Sequence, residues 1–106
     1  MDKKNEKDSC EIDIINESYH EHKRYLQEVE MGIKRFDAFH VRSSRIVVGH
    51  VESVTYSFSG KTRLILENEI IFNLKGTKWY TQYLSASAYY RANKIAYRKF
   101  LKSINK

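Results

Sequence analysis

The stretch Phe39-His40-Val41-Arg42-Ser43-Ser44-Arg45-Ile46-Val47-Val48-Gly49-His50-Val51 decides how the rest of the chain is read. Phe39 and Val41 alternate with polar neighbours, Ser43-Ser44 has turn composition, and residues 45–51 are a β-branched run containing Gly49 and His50. Alternation at period two and β-branched side chains both suit the pleated, half-buried surface of a strand. The pattern continues downstream. Val54-Thr55-Tyr56-Ser57-Phe58 alternates, Ser59-Gly60-Lys61-Thr62 turns, residues 63–66 form a second apolar run, Glu67-Asn68-Glu69 turns, and residues 70–74 form another strand. Four or five short strands joined by tight turns make an antiparallel β meander. Thr77 is placed to cap a short helix in which Trp79 pairs with Tyr83, and Tyr80 with Leu84, at i, i+4. Ser85-Ala86-Ser87 breaks it. Residues 88–105 read either as a basic amphipathic helix or as a turn at residues 91–94 followed by a final strand.

Upstream the periodicity is helical. Residues 1–11 are polar and charged and read as a disordered tail. From there Ile12, Ile15, Tyr19, His22, Leu26, Val29, Ile33 and Phe36 follow one another at spacings of 3, 4, 3, 4, 3, 4 and 3. That is a single apolar stripe on an amphipathic helix over residues 12–35, which Gly32 ends or bends. The stripe either docks on its own domain or pairs with a second copy through Ile15, Tyr19, His22, Leu26 and Val29. The expected fold is therefore mainly β (α+β): an N-terminal amphipathic helix, then an elongated antiparallel β meander with one short helix occupying residues 36–106.

Charge divides the chain in two. Residues 1–30 carry nine acids and five Lys/Arg, whereas the remainder carries four acids and fourteen Lys/Arg. After Glu69 there is no Asp or Glu, and eight Lys/Arg are interleaved with aromatic residues. A basic, aromatic-rich surface without neutralising acid is the footprint of a polyanion binder. Other classes fall away. Cys10 is the only cysteine, so no intramolecular disulfide and no Cys-based zinc site can form. His20 and His22 on a helix point about 200° apart, a poor chelating geometry. No Gly-rich phosphate loop, nucleophile elbow or Cys/His pair is present, so catalysis, a cofactor and a small-molecule substrate are not expected. No apolar run approaches the roughly eighteen residues of a membrane span and no signal-peptide core opens the chain, which points to a soluble cytoplasmic protein.

The order of these segments resembles the LytTR family of bacterial DNA-binding domains. Phe39-His40-Val41-Arg42 and Arg45-Ile46-Val47-Val48 are similar to its first two strands, and Glu52-Ser53-Val54-Thr55-Tyr56-Ser57-Phe58-Ser59 to its E-D-I-x-Y-x-x-S signature. Gly60-Lys61-Thr62, Arg63-Leu64-Ile65-Leu66 and Glu69-Ile70-Ile71-Phe72 correspond to a loop and two strands. Residues 74–84 correspond to the short helix, and Tyr89-Tyr90-Arg91-Ala92-Asn93-Lys94 to the F-[FY]-R-x-[HN]-[RK]-S segment. The family's last hairpin and helix have no counterpart before Lys106, so the resemblance implies a C-terminally shortened member.

That resemblance implies sequence-specific binding of duplex DNA by a small bacterial transcription regulator, with the loops at Lys61-Thr62 and at Arg91-Ala92-Asn93-Lys94 in the major groove. Arg91 can bind guanine bidentately, Asn93 suits adenine, and Lys94 can neutralise a phosphate. Lys61, Arg63, Arg98, Lys99 and Lys102 are suited to contacting the DNA backbone. The rival readings are a protein-interaction module using the acidic N-terminal helix, and an RNA binder using residues 87–106 as a basic helix.

Overall fold

The computed structural model describes residues 3–106, with side chains from Glu6 onward. Among the described residues there is no strand. The chain forms α1 (Lys3–Glu30), α2 (Ala38–Tyr56), α3 (Gly60–Leu66) and α4 (Ala86–Ile104). A π-helical turn at Glu67–Ile71 prolongs α3, and a 3-10 turn at Trp79–Gln82 precedes α4. The mainly-β expectation and its meander are overturned.

Tertiary burial is what overrides local propensity. In α2 the inward positions are Val41, Ser44, Val48, Val51, Val54 and Thr55, which recur at a helical period. Two of the six are polar, so the apolar pattern alone does not show the face. Asp37 starts the helix by accepting a hydrogen bond from the His40 backbone N–H (2.9 Å). A β-branched residue costs a helix well under 1 kcal/mol, whereas burying a Val or Ile side chain contributes roughly 1.5–3 kcal/mol. Burial decides. In the same way residues 63–66, expected as a strand, lie in α3, and of residues 70–74, expected as another, Ile70 and Ile71 close its π turn while 72–74 lead out of it without regular structure. The Phe72 N–H donates to the Glu67 carbonyl five residues back (2.9 Å), and the widened turn brings Ile65, Leu66, Glu69 and Ile70 all to full burial.

α1 begins at Lys3, so residues 3–11, expected as tail, are helical; Met1 and Asp2 lie outside the described residues. Its start is tied down by Lys75, which donates to the Ser9 hydroxyl (2.9 Å) and pairs with Asp13. Its end is set at Gly32, whose φ of +77° suits a residue without Cβ. The Gly32 N–H donates to Val29 O and the Ile33 N–H to Glu28 O, a Schellman closure. At 28 residues α1 spans about 42 Å, most of the 46 Å long axis of the molecule.

The heptad stripe docks within the chain. Ile12 and Tyr19 are fully buried in one core with Ile65, Leu66, Ile70, Tyr97 and Phe100. Ile15 packs on that core, and His22, Leu26 and Val29 are half-buried. Tyr19 Oη donates to Glu52 (2.6 Å), His20 Nε2 donates to the Ile70 carbonyl (2.7 Å), and His22 Nδ1 meets Ser44 Oγ (2.8 Å). The set proposed for dimerisation, Ile15, Tyr19, His22, Leu26 and Val29, therefore faces the chain's own interior. Ile33 and Phe36, past the helix end, are exposed.

In urea titrations followed by circular dichroism, Tyr19→Ala is expected to cost about 3–5 kcal/mol and Tyr19→Phe about 1 kcal/mol. Ile33→Ala should stay within about 0.5 kcal/mol. Equal costs at the two sites would contradict intrachain docking of the stripe.

Candidate nucleic-acid interface

The site is built outward from one buried carboxylate. Glu69, on the π turn, is fully buried and accepts four side-chain hydrogen bonds. Trp79 Nε1 (2.9 Å) and Tyr89 Oη donate to Oε2; Asn93 Nδ2 (3.1 Å) and Tyr97 Oη donate to Oε1. Two donors per oxygen use the lone-pair capacity of a carboxylate in full. The donors come from the 3-10 turn and from one face of α4. Ring packing reinforces the arrangement: Tyr80 stacks on Tyr89 at 3.8 Å between centroids, and Trp79 meets Tyr89 edge-on at 6.0 Å. The 3-10 turn is thus clamped against the first turns of α4, whose N-terminus Ser85 caps by accepting from the Ala88 N–H. At the other end His50 Nε2 donates to the Ile104 carbonyl (2.9 Å).

With that face of α4 turned inward, the opposite face is outward. Arg91, Lys94, Arg98 and Lys102 are all exposed and recur at 3, 4 and 4 residues, which places them within about 80° of arc on the helix. Lys99 flanks them. No acid lies on α4, and none of these bases forms an ion pair among the described residues. Ser87 and Tyr90, also exposed, continue the outer surface toward the helix start. Beside Tyr90 and Arg91 opens a cleft of about 870 Å³ whose walls include Lys78, Lys75, Asp13 and Asn16.

The expected contact residues therefore divide. Arg91, Lys94, Arg98, Lys99 and Lys102 share α4, on a helix and not on a loop. Asn93, expected to read adenine, points the other way and is spent on Glu69. Lys61, Thr62 and Arg63 form the first turn of α3, again not a loop, and Arg63 lies over the Tyr56 ring at 5.0 Å. Lys78, Ser87 and Tyr90 were not among the expected residues. Ser87 has a visible signature, since it heads the series 87, 91, 94, 98, 102 at helical spacing.

No group of three or more His, Cys, Asp or Glu converges among the described residues. Among the described residues no helix is long and apolar enough to cross a membrane.

Burial, and then the adjacent Glu69 carboxylate, push the Tyr89 and Tyr97 hydroxyls well above the ordinary tyrosine range. The folded chain keeps these protons where the unfolded chain loses them near pH 10. Stability contributed here is therefore complete below about pH 10 and falls as pH rises beyond it. Urea midpoints measured across alkaline pH should show that fall, and Tyr97→Phe should flatten it. Glu69→Ala leaves four donors without their acceptor and is expected to cost about 3 kcal/mol or more at neutral pH; a cost below about 1 kcal/mol would contradict the role given to this carboxylate.

Comparison of the chain with protein-family models, with curated proteins and with solved structures finds no match. The LytTR resemblance thus rests on the quoted residues alone, and the segments it takes as strands are helical here.

Proposed function

We propose that the chain is a small regulator that binds duplex DNA by laying α4 in the major groove, with Arg91, Lys94, Arg98 and Lys102 against the flanking phosphates. The observation that carries this reading is the single exposed, acid-free face on which α4 presents those four bases. From Arg91 to Lys102 the face runs roughly 16 Å along a helix about 10–12 Å across, and the major groove of B-DNA is about 12 Å wide. Ser87 and Tyr90, near the start of α4, are the residues placed to meet base edges. The helix replaces the loops as the reading element. An A-form RNA duplex has a deep, narrow major groove that does not admit a helix, so DNA is favoured over double-stranded RNA. A cytoplasmic setting goes with this reading.

Fluorescence anisotropy with a random-sequence duplex should show affinity falling steeply as salt rises. Replacing Arg91, Lys94, Arg98 and Lys102 together by Ala should reduce the slope of log K against log salt by roughly 3 to 4, one phosphate per base removed. Lys61→Ala should change it by less than about 1. Absence of binding at low salt would refute the proposal.

A further inference from the structure

The core absorbs the heptad stripe as far as Val29 and leaves its continuation outside. Met31, Ile33, Phe36, Phe39 and Ile46 are between 64% and 81% exposed. Phe36 lies across α2, lining a shallow groove with Val41, Arg42, Arg45 and Ile46.

The outward face of α2 carries Phe39, Arg42, Ile46, Gly49, Ser53 and Tyr56 at spacings of 3, 4, 3, 4 and 3, all exposed. That is the spacing of a helix-pairing seam, on the side away from the core positions. Side-chain size is uneven along it: Phe36 and Phe39 stand at the N-terminal end, Ile46 in the middle, Gly49 and Ser53 in the next two turns, and Tyr56, covered by Arg63, closes it. A Cβ at Gly49 would meet nothing within 4 Å, so packing inside the chain does not account for a glycine there. The missing side chain leaves a hollow in the face.

We propose that this face pairs with α2 of a second copy of the chain, antiparallel, about a two-fold axis near Ile46. In such an isologous pair the residue k positions before Ile46 faces the residue k positions after it. Phe39 then lies over Ser53 and beside Gly49 of the second copy, large against small, twice. Antiparallel pairing sets the two Arg42 side chains eight residues apart along the axis, about 12 Å, and leaves the two Arg45 side chains, at the edge of the seam, as the one close pair of like charges. A parallel pair would set the Arg42 side chains face to face.

Light scattering and sedimentation of the full chain at about 100 μM, where even a micromolar dimer is nearly full, should give twice the 12.6 kDa of one chain. Phe39→Glu with Ile46→Glu should return the mass to that of one chain with an unchanged circular dichroism spectrum, and Gly49→Leu should weaken association at least tenfold. In a Cys10→Ser background, Ile46→Cys should form a disulfide with itself on oxidation, whereas Ile14→Cys, exposed on α1, should not. A chain of single mass at that concentration, or a dimer that persists through the double Glu variant, would overturn the proposal. So would absence of the Ile46→Cys crosslink.

Discussion

A buried carboxylate is costly unless its oxygens are fully engaged, and Glu69 meets that condition with donors from two other segments of the chain. Trp79 lies ten residues on, and Tyr89, Asn93 and Tyr97 between twenty and twenty-eight. Satisfying them all at once fixes the rotation of α4 about its axis. The outer face depends on that rotation, because Glu69 selects the inner face and the basic face is what remains. The π turn is part of the same solution, since it brings Glu69 inward while keeping Ile65, Leu66 and Ile70 buried beside it.

α1 is tied to the same place through the backbone. Asn16, nearly buried, donates to the Glu69 carbonyl (3.3 Å) and to Asn73 Oδ1 (3.1 Å), and His20 donates to the next carbonyl, that of Ile70. The polar residues on the inner side of α1 therefore satisfy backbone carbonyls that an aliphatic seam would leave unpaired. The acidic N-terminal segment meets the basic remainder of the chain at one point above all, the ammonium of Lys75 held between Ser9 and Asp13. Division of charge along the sequence thus becomes contact across the fold at Lys75 and an exposed basic face on the adjoining α4.

Much of α1 was legible, because its stripe is apolar at nearly every inward position and Gly32 sits where a left-handed residue closes the helix. The outer face of α4 was legible as one of two alternatives, since bases that recur at helical spacing with no acid between them mark one solvated side of a helix. α2 and α3 were misread for a physical reason. Their β-branched and aromatic content matches a strand locally, and the residues that would reveal a helical face include Ser44 and Thr55, polar side chains satisfied by His22 and by the Val51 carbonyl. Asn93 was misassigned because its partner is a carboxylate twenty-four residues away. No local pattern links the two, and a buried Glu in a turn-like Glu67-Asn68-Glu69 segment looks like a solvated one until the fold is known.

Trp79 is the only tryptophan of the chain, and its indole N–H is bonded to Glu69. Its emission consequently arises from the junction where the π turn, the 3-10 turn and α4 meet, beside a fixed charge and three tyrosine rings. The protein carries a native optical reporter at its most informative position. A rearrangement of α4 against the rest of the fold would register in the colour and intensity of a single chromophore, with no label attached.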